Sequence, residues 1–148
     1  MRNPVIHVLL VEDDEIDCEA VKRAFKHHQM RNPLVCVTNG CEALQTLRGE
    51  NGYSLLPRPY IIFTDINMPQ MNGHELLSAL RADRLLKRSV VFVLTSSADE
   101  EDITNAYDLQ VAGYFAKSQL GDDFSKVIHL LNLYQASIYM PSAYGYAD

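Results

Sequence analysis

Four apolar runs of this sequence each end on side chains that can do chemistry. Glu12 and Asp13 follow the first run, Asp65 follows another, and Thr95 and Lys117 end two more. Three carboxylates brought together repel one another, so they raise a pKa or take up a counter-ion. A hard divalent cation such as Mg²⁺, with Mn²⁺ as the alternative, binds carboxylates together with waters and a phosphate. The predicted chemistry is therefore metal-assisted phosphate chemistry.

Each of these residues also has an ordinary structural explanation. Asp65 could cap a turn after its strand, while Glu12 and Asp13 could complement the dipole of a helix. Thr95 could be a plain strand end and Lys117 a solvated charge. All of these explanations must hold together for the pattern to be accidental, so we favour a functional site.

The elements that would position these residues are short strands alternating with amphipathic helices. Short, nearly continuous apolar runs are typical of strands buried on both faces, and they occur at residues 5–11, 34–37, 60–64, 90–94 and 113–116. This alternation predicts an α/β fold, a flavodoxin-like (βα)5 doubly wound parallel sheet of strand order 2-1-3-4-5. Ligands of such sheets bind outside the carboxyl ends of the strands, at the switch in strand order. The polar residues above all fall at that edge.

Local patterns predict how some helices begin and which faces they bury. Capping boxes are expected where Asn39 precedes Glu42 and where Ser97 precedes Glu100. Helical spacing of apolar residues places Ile16 on the buried face of the first helix, and Ile103, Ala106 and Tyr107 on that of the fourth.

Composition and charge exclude several classes of protein. The 148 residues, 47% hydrophobic and 22% charged, fit one globular domain. A net charge of −6 without a basic run argues against binding to nucleic acid or to an anionic membrane. The apolar stretch 5–11 is too short for a signal peptide or a membrane span, and three cysteines without CxxC spacing suit a reducing compartment. We expect a cytoplasmic protein.

Four motifs, in this order, resemble the receiver domains of two-component response regulators. They lie at residues 11–14, at residues 65–69 with Gly73 following, at residues 94–96 and at residues 114–117. The resemblance covers residues 5–134. It implies one receiver domain, residues 1–134, and a C-terminal tail, residues 135–148, with no output domain.

The resemblance implies an acceptor and a metal site. Asp65 would take a phosphoryl group from the phosphohistidine of a histidine kinase. Asp13 would bind Mg²⁺ directly and Glu12 through water, with Asp65 and the backbone carbonyl of Asn67 completing the site. Such a protein is a phospho-acceptor that signals, not an enzyme in the usual sense.

The resemblance also implies a switch. Thr95 would hydrogen-bond the phosphoryl oxygen, Lys117 would pair with it, and Tyr114 would change rotamer as the Thr95 hydroxyl moves inward. The family usually has proline after this lysine, with a cis peptide bond before it, but here Ser118 follows. A non-proline cis bond costs about 2.5–4 kcal/mol. The bond is therefore either cis and strained, or trans with Lys117 aimed differently.

Partners follow from the same resemblance. The loop 49–59, the segment 84–88 and the Lys117–Ser118 step resemble single-domain regulators that work with phytochrome-type kinases. A histidine kinase of that type and an unidentified downstream protein are the expected partners. The apolar segment 138–141 is expected to pack on the last helix of its own chain or of a partner. It would then support a homodimer through the fourth helix, fifth strand and fifth helix.

Three alternatives are left open. A degenerate receiver would bind partners without being phosphorylated, although every site residue is present. A Mg²⁺-dependent aspartyl phosphohydrolase is disfavoured because such enzymes resemble Asp-x-Asp, whereas the second position here is Asn67. A small flavin-binding electron carrier is disfavoured because acids follow the first strand, where they would repel a phosphate.

Overall fold

The computed structural model describes residues 4–121 and 123–141. Its strands are β1 His7–Val11, β2 Leu34–Val37, β3 Tyr60–Thr64, β4 Val90–Thr95 and β5 Gly113–Ala116. Its helices are α1 Glu15–His27, α2 Gly40–Arg48, α3 Gly73–Ala82, α4 Glu100–Asp108 and α5 Ser125–Ser137, with a 3₁₀ turn at Lys117–Gln119. Strands and helices alternate along the chain, as the sequence predicts.

The five strands form one parallel sheet in the order β2-β1-β3-β4-β5, which confirms the predicted fold. Val11 is paired with Thr64, so the two central strands end side by side. Glu12 and Asp65, the next residue of each strand, therefore leave the sheet at the same level. Since Thr64 is also paired with Val93, β4 runs two residues farther, to Thr95.

Each face of the sheet is covered by helices over its own apolar layer. Helices α1 and α5 pack on one face, and α2, α3 and α4 pack on the other. All five residues of β3 are buried, with Ile62 facing one layer and Ile61 and Phe63 facing the other. This burial fixes the carboxyl end of β3 between two packed layers. No helix in the described ranges has the length and apolar character that crossing a bilayer requires.

The start of α2 differs in part from the prediction. Asn39 caps the helix, since its side chain accepts a hydrogen bond from the Glu42 amide at 3.0 Å. Glu42 does not close the capping box, because its carboxylate accepts from the amide and the hydroxyl of Thr38. The complete capping box lies at α3, between Asn72 and Glu75.

The predicted start of α4 is wrong, and so is the predicted burial of one residue on α1 and one on α4. Helix α4 begins after Asp99, and the Ser97 hydroxyl donates to Asp102 at 2.6 Å instead of capping the helix. Ile16 is 77% exposed and Tyr107 50% exposed, in contrast to their predicted burial, whereas Ala106 is fully buried as predicted. Helical spacing identifies the residues on the apolar face of a helix, but the way the helix packs determines which residues at the edge of that face are exposed to solvent.

Candidate functional site

Asp65 is held at the end of β3 by contacts to its backbone and to one carboxylate oxygen. Its amide donates to the Val11 carbonyl at 2.9 Å, and its Oδ1 accepts from the Ile66 amide at 2.7 Å. The residue is 7% exposed. Its other oxygen, Oδ2, lies 3.7 Å from Lys117 Nζ. The carboxylate is therefore fixed in orientation and has one oxygen directed to the basic group.

Three carboxylates meet at the ends of β1 and β3. Ligand oxygens of Glu12, Asp13 and Asp65 all lie within 4.8 Å of one another. Glu12 is buried and Asp13 is exposed, so the cluster reaches from the interior to solvent. Glu12 Oε2 is buried and has no hydrogen-bond partner among the described residues. Such an oxygen needs a donor or a cation, and a set of carboxylates with one side open to water fits a hard divalent ion.

Electrostatics at this cluster set the protonation of Glu12. Burial raises its pKa, and the adjacent Asp65 raises it further, against the opposing effect of Lys117. A carboxyl group with a raised pKa keeps its proton to higher pH than a solvated one. A cation bound at this carboxylate would therefore displace a proton.

Lys117 reaches this cluster from the end of β5. Its Nζ donates to Glu12 Oε1 and to Asp17 Oδ2, both at 2.7 Å. Burial alone would lower the pKa of Lys117, but hydrogen bonds to Asp17 and Glu12 and the charge of Asp65 raise it. The lysine is therefore a charged donor that is already paired before any phosphate arrives.

The peptide bond after this lysine is trans. Within the described residues, the one cis peptide bond is Arg58–Pro59. Of the two geometries open from the sequence, the structure has the trans bond, with Lys117 closer to Glu12 and Asp17 than to Asp65. The sequence interpretation missed Asp17. One signal could have indicated it: Asp17 lies in the first turn of the helix that begins directly after the acidic pair.

Thr95 and Tyr114 are connected through one residue, Ser97. The Thr95 hydroxyl is fully buried and accepts from the Ser97 amide at 3.4 Å. The Tyr114 hydroxyl donates to the Ser97 carbonyl at 3.0 Å. The loop between β4 and α4 thus joins the end of β4 to the half-buried tyrosine of β5. Asn67 is exposed, two residues after Asp65 in the following loop.

The fold, together with the acids, the threonine and the lysine at the carboxyl ends of its strands, defines a class of protein. Residues 8–129 match the family model of the response regulator receiver domain. The chain belongs to this family, which confirms the resemblance noted in its motifs, and response regulators are signalling proteins.

Individual relatives cover nearly the whole chain. Response regulator Rcp1 of Synechocystis sp. is 33% identical over 142 residues, which are 95% of this chain and 97% of Rcp1. The crystal structure of the Mn²⁺-bound form of Rcp1 matches with a TM-score of 0.80 at 32% identity, over 94% of this chain and 100% of that one. The phosphorylated cyanobacterial phytochrome response regulator RcpA matches with a TM-score of 0.78 at 31% identity, with the same coverage.

Proposed function

We propose that this protein is a response regulator that is phosphorylated on Asp65 in the presence of Mg²⁺. One observation carries the proposal: Asp65 is buried at the end of a central strand, beside two further acids and the Lys117 ammonium. Mg²⁺ would be held by Asp13 and Asp65, by Glu12 through water and by the backbone carbonyl of Asn67. The bound ion would neutralise charge on the phosphoryl group.

The chain's own groups suit in-line phosphoryl transfer, which depends mainly on positioning and on charge stabilisation. A carboxylate oxygen of Asp65 attacks phosphorus, the bond from phosphorus to the donor breaks, and an acyl phosphate forms. The Ile66 amide, at 2.7 Å from Oδ1, fixes the attacking carboxylate. Lys117 and Thr95 would donate hydrogen bonds to the phosphoryl oxygens.

A histidine kinase, of the phytochrome type, is the proposed phosphoryl donor. Similarity to RcpA over 94% of this chain supports that type, since RcpA is a phytochrome response regulator. Ile16 offers a contact for such a partner, because it is 77% exposed on the first turn of α1, next to the site. The three free cysteines accord with the reducing cytoplasm where this kinase contact would occur.

The proposed output is a change in the surface formed by α4, β5 and α5. Movement of Thr95 toward a phosphoryl group would pull on Ser97, which also holds the Tyr114 hydroxyl. This surface would bind a downstream protein or a second copy of the chain. Exposed apolar side chains on α4 and α5, Tyr107 and Leu133, support such contacts. In the described part of the tail, Met140 packs on the apolar layer beneath α1 and α5 of its own chain.

The test is phosphorylation by a small donor. The protein is incubated with Mg²⁺ and acetyl phosphate, and intact mass is followed with time. We expect a single phosphoryl addition that Asp65→Asn abolishes and that chelation of the metal prevents. Asp83→Asn is the matched control, because Asp83 is an acid that pairs with Arg48, away from this cluster.

The remaining outcomes separate the alternatives. A wild-type protein that gains no phosphoryl group would be a degenerate receiver, which binds partners without phosphorylation. Rapid multiple turnover of phosphate esters would identify an aspartyl phosphohydrolase. Addition that persists in Asp65→Asn would place the acceptor on another residue.

A further inference from the structure

We propose that Asp17 is a positioning residue for Lys117, holding its ammonium beside Asp65 for the incoming phosphoryl group. The inference rests on the proposed function, because Lys117 matters only if Asp65 is phosphorylated. Asp17 contributes no atom to the transfer itself.

The geometry around the ammonium supports this role. Lys117 Nζ has three N–H donors, and two of them are engaged at 2.7 Å by Glu12 and Asp17. Asp65 Oδ2 lies 3.7 Å from Nζ, beyond normal hydrogen-bond distance. Phosphorylation adds oxygen acceptors beyond this carboxylate, and a third N–H is left to bind one of them. Two carboxylates thus hold the lysine close to the acceptor without using its last donor.

Glu12 cannot do this alone once a cation is present. It belongs to the cluster with Asp13 and Asp65 that would hold the ion. A cation near that carboxylate weakens its attraction for the ammonium, and the two positive charges repel each other. Asp17 lies outside that group of three acids, although its ligand oxygen also lies within 4.8 Å of those of Glu12 and Asp14. A cation held by Asp13 and Asp65 would therefore leave the Asp17 carboxylate paired with Lys117.

Asp17 is itself fixed in place by the first turn of α1. The next residue, Cys18, is buried, and its thiol lies 3.4 Å from the Glu12 carbonyl oxygen. This contact ties the start of α1 to the end of β1. Lys117, in contrast, has a long flexible side chain that would lose much rotamer freedom on reaching the site. A rigid partner at 2.7 Å removes that freedom before the phosphoryl group arrives.

A double-mutant cycle tests the inference. Rates of phosphorylation by acetyl phosphate with Mg²⁺ are measured for wild type, Asp17→Asn, Lys117→Met and the double variant. We expect Asp17→Asn to slow phosphorylation about tenfold, the effect of one hydrogen bond between charged groups. In the Lys117→Met background the same change should have no further effect, because Asp17 acts through the lysine.

Glu15→Gln is the matched control, because Glu15 is an exposed acid in the same helical turn and its loss removes the same charge. Its rate should equal that of wild type, and circular dichroism should show all variants folded. An equal slowing by Asp17→Asn with and without Lys117 would overturn the inference, as would a faster rate in Asp17→Asn. Either result leaves the Asp65-dependent phosphorylation of wild type intact. A wild type that is not phosphorylated would overturn the proposed function, and this inference with it.

Discussion

At the first residue of α3, Gly73 lies directly against the backbone of Asp65. A Cβ atom at this position would be 2.3 Å from the Asp65 carbonyl oxygen and 2.9 Å from Ile66 Cα. The Gly73 amide also donates to the Ile66 carbonyl at 2.8 Å. Both neighbours are backbone atoms of the segment that holds the acceptor, so they cannot move aside without moving Asp65.

We therefore predict that Gly73→Ala lowers both stability and phosphorylation. Overpacking of this kind costs about 1–3 kcal/mol in free energy of unfolding, which urea denaturation would measure. The rate with acetyl phosphate should fall as well, since the acceptor is displaced. Gly113→Ala is the matched control, because the added methyl meets the ring of Phe92 at 3.0 Å rather than backbone. Equal loss of rate in both variants would contradict the argument.

Residues at strand ends could be predicted from the sequence, whereas the ion pair between Asp17 and Lys117 could not. Glu12 and Asp65 each follow a central apolar run, and parallel strands end at one edge, so their proximity follows from topology alone. The partner of Asp17 depends on how α1 packs and on the direction in which the Lys117 side chain points before the trans Lys117–Ser118 bond. Neither is encoded in a local pattern.

Among the elements, the loop from β4 to α4 connects the site to the rest of the molecule. Ser97 contacts Thr95 and Tyr114 through its backbone and Asp102 through its hydroxyl. Asp102 also lies 3.2 Å from Nε2 of His74 on α3. One loop residue thus links β4, β5 and α4, and Asp102 extends the link to α3.

The same contacts predict a pH dependence of stability. The hydroxyl of Ser97, and then His74, hold the pKa of Asp102 below its ordinary value of 3.8. The ionised form is thus favoured by folding, so its contribution is present above that value and is lost as pH falls through the lower folded-state pKa. We expect Asp102→Asn to be less stable than wild type near neutral pH, and the difference to shrink in acid.

Urea denaturation from about pH 6 down to about pH 3 measures this change, since the slope with pH reports proton uptake on unfolding. Glu101→Gln is the control, because Glu101 is an exposed acid on the first turn of the same helix. If the two variants show the same slope, Asp102 is not coupled to Ser97 in solution.

Element type and order were predictable, and helix starts were less so. Buried strands such as β3 carry a continuous apolar signal that two packed faces require. A capping box instead depends on which nearby donors bind the acidic side chain. At α2 the amide and the hydroxyl of Thr38 donate hydrogen bonds to the Glu42 carboxylate. At α4 the Ser97 hydroxyl is similarly taken by Asp102, so the helix starts later.

At the scale of the whole molecule, the acidic cluster is attached directly to the buried core. Glu12 and Asp65 follow β1 and β3, which are paired along their length and buried between the two apolar layers. Repulsion among carboxylates at this position therefore acts on the centre of the fold rather than on a mobile loop. A ligand that binds the folded cluster and not the unfolded chain raises the stability of the whole domain.

We predict that Mg²⁺ raises the melting temperature and that Asp13→Asn removes most of this rise. At ten times its dissociation constant, the ion would stabilise the folded state by about 1.4 kcal/mol. For a domain of 148 residues this free energy corresponds to a rise in melting temperature of about 3–6 °C.

The measurement is thermal unfolding with increasing Mg²⁺, compared with KCl at equal ionic strength, because screening of the net charge of −6 also affects stability. Asp13→Asn relieves repulsion by itself, so the informative quantity is the increment caused by Mg²⁺ in each variant. An equal increment from K⁺, or one that survives in Asp13→Asn, would mean that the ion does not bind at this cluster.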